Sequence, residues 1–210
     1  MQLLTDGVYR LRKATGANAY LVDTGEASVV IDTGTPGGAS ALIAELRDEH
    51  GLGPVTDIVL THYDPDHAGS AAALQRETGA RVWIGARDAD ILRSQTPPPT
   101  RFRRFLARVS RATEVPAGLH ELPDAGETEI VPGVRAIAAP GHTPGHVIVE
   151  HRGVVFAGDA VTVRAGRLRQ MPALLTSDKP QALETEHLIA SLRPRLVCPG
   201  HGAPGRLDAP

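Results

Sequence analysis

The chain has 210 residues, of which 41% are apolar and 22% charged, which is ordinary for one globular domain and excludes an intrinsically disordered chain. The 22 basic and 24 acidic residues give a net charge of −2, which does not favour nucleic acid or an anionic membrane as a partner. No apolar run could span a bilayer, the first residues lack a signal-peptide pattern, and the one cysteine, Cys198, excludes an internal disulfide, so we expect a cytoplasmic protein.

The first part of the chain alternates between strand-like and helix-like segments. Short β-rich runs at 7–14 and 17–24 precede a nearly continuous apolar run at 27–34, which is typical of a buried strand. Residues 37–51 predict a helix that ends at Gly51, because their leucines and isoleucine recur at helical spacing. A strand at 55–62, a helix at 66–79 and a strand at 80–85 follow.

Residues 86–116 depart from this alternation and predict a lid-like insertion, formed by a short helix or a helical hairpin. The segment contains three consecutive prolines followed by five arginines: Arg101, Arg103, Arg104, Arg108 and Arg111. A solvated helix face is the commoner reason for such an arginine run, and a lid that binds an anionic substrate is the alternative.

The rest of the chain is rich in short strands. They are predicted at 118–123, 127–131, 134–140, 146–151 and 154–161, followed by a helix at 178–194 and a last strand at 195–202. Because both halves contain strands followed by helices, we expect an α/β fold in which two sheets pack together with helices outside.

Polar side chains follow the predicted strands at four points along the chain. Histidine or aspartate comes directly after strands that end near 61, 141, 158 and 200, and more of both lie in the loop after the first of these. Sites gather at strand ends in layered α/β folds, because the loops there converge. The candidate ligands are His62, Asp64, Asp66, His67, His142, Asp159 and His201.

This set of side chains predicts a metal centre. Imidazole and carboxylate suit Zn²⁺, Fe or Mn²⁺, while the cysteine count excludes a thiolate site. Seven ligands exceed what one four-coordinate zinc ion uses, so we expect two divalent metal ions, with zinc favoured over iron or manganese.

The motifs "THYDPDHAG", "PGHTPGH", "AGDA" and "PGHG", in that order, resemble those of the metallo-β-lactamase superfamily, and "VVIDTG" resembles its first motif. The resemblance spans about residues 17–204 and implies a four-layer αβ/βα sandwich, with two mixed sheets packed face to face and a metal centre at its edge. It places His62, His142 and Asp159 on the first metal. It places Asp66, His67 and His201 on the second, with Asp159 shared, and makes Asp32 a residue that orients a ligand histidine.

Asp64 departs from the family pattern His-x-His-x-Asp-His, which has a histidine at this position. Three interpretations remain open: direct ligation through the carboxylate, a first metal that is weak or absent because the side chain is short, or ligation through a water molecule. A carboxylate ligand would add one negative charge and shift the preference towards iron or manganese.

The resemblance implies a metal-dependent hydrolase in which a metal-activated water attacks a small carbonyl substrate, a thioester, lactone, ester or amide. Asp66 and Asp159 are the candidate catalytic carboxylates. The alternatives are an iron-dependent oxidoreductase of the same fold, either persulfide dioxygenase-like or diiron, and a non-catalytic binding module. We expect a small-molecule substrate, no nucleic acid and no membrane, and a homodimer is the default expectation for any oligomer.

Overall fold

The computed structural model describes residues 1–48, 52–109 and 113–208, with the backbone alone for 106–109. Gly51 and Arg111 therefore lie outside the described residues. Within them, no helix combines the length and the apolar character needed to cross a membrane.

The first sheet has seven strands that lie in chain order. β1 (Gln2–Thr5), β2 (Val8–Leu11), β3 (Ala19–Asp23) and β4 (Ser28–Ile31) are antiparallel, whereas β5 (Val55–Val59), β6 (Arg81–Gly85) and β7 (His120–Leu122) continue from β4 in parallel. The connections between the parallel strands contain the helices α1 (Ala39–Arg47), α2 (Pro65–Ala68), α3 (Ala71–Thr78) and α4 (Ala86–Leu92).

The second sheet has five strands in the order β14–β11–β10–β9–β8. These are β8 (Glu127–Val131), β9 (Val134–Ala138), β10 (Val147–His151), β11 (Val154–Gly158) and β14 (Leu196–Pro199), and only β11 and β14 are parallel. A hairpin of β12 (Val161–Arg164) and β13 (Arg167–Gln170) leads to α6 (Lys179–Ser191), and α5 (Arg101–Val109) lies in the segment before β7.

Three apolar clusters separate the layers, because successive side chains of a strand point to opposite faces. Leu21 of β3 packs on the helices outside the first sheet, and its neighbour Tyr20 packs between the sheets. Likewise Phe156 of β11 lies between the sheets, and Val155 packs against Ile189 of α6 on the far side. The predicted sandwich of two mixed sheets with helices outside is confirmed.

One predicted helix differs from the structure. Residues 66–79 form two helices, α2 and α3, because the chain between them is bound to the loop after β4. The Ser70 hydroxyl donates to the carbonyl of Thr35 at 2.7 Å, and a Cβ on Gly69 would lie 2.3 Å from the Pro36 ring. The break lets α2 turn its own side chains towards the candidate site.

Candidate metal centre

The site lies at the ends of strands from both sheets. His62 follows β5 and the adjacent parallel strand β4 is followed by Asp32, while Asp159 and His201 follow the parallel strands β11 and β14. His142 lies in the connection from β9 to β10. Parallel strands place their carboxyl ends at one edge, so two sheets packed face to face bring these loops together.

The structure brings six of the seven candidate ligands into two groups. Group one consists of His62, His142 and Asp159, all buried, and group two consists of Asp66, His67 and His201. In each group the ligand atoms lie within 4.8 Å of one another.

Asp159 lies between the two groups. Its Oδ2 is 3.7 Å from Nε2 of His142 and 3.4 Å from Nε2 of His201, and its Oδ1 is 3.3 Å from Nε2 of His67. One carboxylate therefore faces histidines of both groups.

Asp64, the seventh candidate, lies beside group one and uses its two oxygens differently. Its Oδ2 is 3.4 Å from Nε2 of His62 and 3.5 Å from Nε2 of His142. Its Oδ1 accepts a hydrogen bond from Nη1 of Arg103. The carboxylate thus faces the same two imidazoles as a ligand would, while it is also one half of an ion pair.

Asp32 lies behind the histidines, buried and hydrogen-bonded. Its Oδ2 is 2.8 Å from Nδ1 of His67, and its Oδ1 accepts from the backbone N–H of Thr61 at 2.8 Å. The Thr61 hydroxyl is also 3.0 Å from Nδ1 of His62. These contacts leave the Nε2 atoms of both imidazoles directed into the centre.

Several buried polar atoms in the centre have no hydrogen-bond partner among the described residues: Nε2 of His62, Nε2 of His67 and Oδ1 of Asp159. Buried polar atoms without a partner cost free energy, and metal coordination is one way to satisfy them. The residues present therefore fit a pair of metal ions.

Carboxylates and imidazoles of the centre shift one another's pKa values. Burial raises the pKa of Asp159, but His67 and other histidines lower it further, so it lies well below its ordinary value. Burial lowers the pKa of His67, but Asp32 and Asp159 raise it well above its ordinary value. Asp159 and Asp66 raise the pKa of His201 to about 9. The carboxylates thus favour the protonated form of the His67 and His201 imidazoles. Bound divalent ions would replace these protons.

Sequence reasoning missed Asp88, which fixes two site loops. This fully buried carboxylate accepts hydrogen bonds from the Thr143 hydroxyl at 2.6 Å, from the Gly145 N–H at 2.7 Å and from the Tyr63 N–H at 3.2 Å. Burial raises its pKa to about 6 despite these donors. Asp88 lies in α4, within the segment predicted as a lid-like insertion, and no sequence signal distinguished it.

His146 is not in either group. It is buried and stacks on His62, with ring centroids 5.1 Å apart, and neither of its ring nitrogens has a hydrogen-bond partner in the described part of the chain. Burial holds its pKa well below the ordinary value, so the ring is neutral.

A cavity of about 860 Å³ opens in front of both groups. Its lining includes Asp64, Asp66, His142, Asp159 and His201. It also includes the apolar residues Ile91, Leu92, Pro97, Pro98, Met171 and Leu175. The arrangement suits a small molecule with a polar reacting end and an apolar remainder.

Comparison with known proteins gives one consistent result. A family model described as the Metallo-beta-lactamase superfamily matches residues 12–201. The probable metallo-hydrolase YflN of Bacillus subtilis (strain 168) is 28% identical over 214 residues, covering 90% of this chain and 81% of YflN. A hydroxyacylglutathione hydrolase of Anaeromyxobacter dehalogenans (strain 2CP-C) is 33% identical over 142 residues, which are 68% of this chain and 45% of that protein.

Among solved structures, the di-iron-bound form of TTHA1623 matches with a TM-score of 0.71 and 30% identity, covering 90% of this chain and 89% of that one.

Proposed function

The chain belongs to the metallo-beta-lactamase superfamily and is a metallo-hydrolase, and from this premise we propose that it cleaves a small thioester, lactone, ester or amide. The observation that carries the proposal is the position of Asp159 between two His/Asp groups, at one wall of a cavity large enough for a small molecule.

We assign the ligands as follows. His62, Asp64 and His142 hold the first metal, Asp66, His67 and His201 hold the second, and Asp159 is shared. The convergence of the two groups and the unpartnered atoms in them support this set. For Asp64, the support is the direction of Oδ2, towards Nε2 of both His62 and His142.

Bound divalent ions would supply Lewis acidity and lower the pKa of a bound water. Zinc is the proposed metal, because hydrolysis needs no redox change. The di-iron form of a 30% identical neighbour supports a direct test for iron, and manganese suits the same donors.

The two candidate catalytic carboxylates differ in accessibility. Asp159 is almost fully buried, so its role is to hold the centre together. The side chain of Asp66 is 34% exposed, lines the cavity and lies 3.2 Å from Nε2 of His201. Asp66 is therefore the more accessible of the two, and we assign it the role of accepting a proton from the attacking water and passing it to the leaving group.

The apolar residues in the cavity lining support a choice of substrate class. Ile91, Leu92 and Met171 would bury a hydrocarbon portion of the acyl or leaving group beside the reacting carbonyl. Arg103, the one lysine or arginine among the described lining residues, is paired with Asp64. We therefore place uncharged acyl thioesters and lactones ahead of anionic substrates.

The test combines metal analysis with a substrate panel. The protein, purified without chelator, is analysed for metals per chain and assayed with acyl thioesters, lactones, esters and amides. We expect about two zinc per chain and hydrolysis of at least one class, with a fall of about 10²-fold or more in kcat for Asp66→Asn. Asp124→Asn, which changes an exposed carboxylate paired with Arg87, is the matched control and keeps wild-type activity.

Two outcomes would overturn the proposal. Absence of turnover of the whole panel by metal-loaded protein would remove the hydrolytic substrate class. Iron at one or two per chain, with oxygen uptake and no hydrolysis, would support the oxidoreductase alternative instead. The lid-like role of residues 86–116, the homodimer and the cytoplasmic location stay predictions.

A further inference from the structure

Asp64 occupies a helix N-cap but does not cap the helix. It is the N-cap residue of α2, and aspartate there usually accepts a hydrogen bond from a free backbone N–H of the first turn. Here the side chain makes no such bond, and its carboxylate is turned towards group one and Arg103. The bonds that hold the carboxylate in this direction therefore come from outside α2.

Arg103 is a buried guanidinium that ties three segments together. It is 4% exposed, and Nη1 bonds Oδ1 of Asp64 and lies 3.5 Å from the Tyr63 hydroxyl. Its Nη2 donates to the carbonyl of Leu175 at 2.6 Å and to the carbonyl of His142 at 3.3 Å. The side chain thus links α5 to three segments, which contain Tyr63 and Asp64, His142, and Leu175.

One further contact of Arg103 involves a ligand atom. Nη2 is 2.8 Å from Nε2 of His142. A guanidinium only donates hydrogen bonds, so Nε2 of His142 accepts here through its lone pair. A metal held by His142 through Nε2 needs the same lone pair. The hydrogen bond from Arg103 and a metal–His142 bond therefore exclude each other. Nη2 of Arg103 has to move away from Nε2 of His142 before His142 can bind the first metal.

We propose that Arg103 is a positioning residue that competes with the first metal for His142 and so makes group one the weaker metal site, filled after group two. This inference rests on the ligand set proposed above. Loading of group one moves the guanidinium off His142, and because Arg103 lies on α5, that loading loosens this helix over the cavity.

The charge distribution supports this order. The Asp64 carboxylate beside group one is neutralised by a guanidinium that stays protonated. In group two, Asp66 faces His201, and the shared Asp159 faces His67 and His201. A dication entering group one meets a fixed positive charge that is absent from the described contacts of group two.

The first experiment titrates metal-free protein with Zn²⁺ against a competing chelator, with no substrate present. We expect two steps in the wild type, and in Arg103→Met we expect the weaker step to tighten about tenfold or more while the tighter step is unchanged. Arg103→Lys keeps the positive charge and retains a weak second step. Arg104→Ala, on the same helix, removes a side chain that is bonded to the carbonyls of Pro98 and Pro99, and leaves both steps unchanged.

The outcomes separate this proposal from the proposed function. A weaker second step in Arg103→Met would show that Arg103 assists Asp64 rather than competes, and an unchanged step would show that it does neither; both overturn the proposal without reference to hydrolysis. Two clear metal-binding steps without turnover of any substrate would instead refute the proposed substrate class and leave the role of Arg103 in metal binding intact.

A wild-type measurement keeps the proposal testable if Arg103→Met does not fold. We expect amide hydrogen exchange in residues 101–109 to rise on the second equivalent of Zn²⁺ but not on the first, with α1 as the internal control. Equal protection of residues 101–109 at one and two equivalents would overturn the proposal.

Discussion

At the scale of single residues, Asp32 is the buried carboxylate that orients His67. Asp32→Asn keeps the shape but removes the charge that faces Nδ1 of His67 at 2.8 Å. Partners of this kind typically change metal affinity by about 10–100-fold, so we expect the tighter zinc step to weaken by that factor. Chelator-competition titration measures it.

The control is Asp57→Asn, which changes a carboxylate that is equally buried but accepts from Trp83 Nε1 at 2.7 Å, away from the centre. This variant should lower stability without moving either metal step. An Asp32→Asn titration identical to the wild type would contradict the assigned role.

Glu45 is a second buried carboxylate, and its role is in folding. It accepts hydrogen bonds from the backbone N–H groups of Arg12 and Lys13, both at 2.8 Å, and lies 3.0 Å from the Met1 amino group. Burial raises the pKa of Glu45, but the backbone donors and the amino group lower it further, and the net pKa is below its ordinary value.

A depressed carboxyl pKa stabilises the folded state above the pKa of the unfolded chain and loses this effect as pH falls. We expect Glu45→Gln to lower the free energy of unfolding by about 1–3 kcal/mol at pH 7. The difference from the wild type should shrink as the pH falls below about 4.3, the ordinary value for glutamate. Urea unfolding of metal-free protein at several pH values measures it, and a difference that grows at low pH would refute the assignment. Glu77→Gln, in the exposed pair with Arg47, is the control with little effect.

At the scale of elements, apolar runs predicted the central strands, because a buried strand needs an apolar side chain on both faces. The hairpin of β12 and β13 was not predicted. Its turn uses Ala165 at φ 48° followed by Gly166 at φ 68°, and alanine gives no signal for a positive φ. Residues 66–79 were assigned one helix, because the contact that breaks it, between Ser70 and Thr35, joins positions 35 residues apart.

In the site too, local sequence patterns were predictable, whereas contacts between distant positions were not. The candidate ligands follow strands and were visible as polar residues after apolar runs. Arg103 and Asp88 act through contacts 39 and 55 residues away, with His142 and Thr143, and their own helices look ordinary. The arginine run was noted, but nothing in its spacing indicated which guanidinium turns inward.

Packing between elements gives the next prediction. Gly85 ends β6 against the loop after His142, where an added Cβ would lie 1.9 Å from the carbonyl oxygen of Gly145. Both partners are backbone, so Gly85→Ala must displace the loop. We expect a loss of about 2 kcal/mol or more in the free energy of unfolding, together with a weaker step for the metal held by His142.

Gly37→Ala is the matched control, since its added Cβ meets no atom of the described residues within 4 Å. Thermal unfolding measures the change in stability of Gly85→Ala, and the zinc titration measures the change in its metal-binding steps. Loss of stability with both metal steps intact would show that the His142 loop does not depend on this packing.

At the scale of the whole molecule, the two sheets have to stay in register, because each supplies proposed ligands to the same candidate centre. His62 follows a strand of the first sheet, and Asp159 and His201 follow strands of the second. The aromatic rings of Tyr20 and Phe156 pack across the interface with centroids 5.3 Å apart. The Tyr20 hydroxyl donates to the carbonyl of Pro199 at 2.7 Å, next to the loop that bears His201.

Phe156→Ala would open a cavity between the sheets. We expect the free energy of unfolding of metal-free protein to fall by about 3–5 kcal/mol, as for other buried phenylalanines. Phe105→Ala, which removes a ring that is 58% exposed on α5, is the matched control and should cost little. Because metals bind the folded state alone, saturating zinc should raise the stability of both variants. The rise should be smaller in Phe156→Ala if the sheets loosen, since ligands from both sheets must then be drawn together. An equal rise in both would mean that the centre is held by the loops themselves and is independent of the core between the sheets.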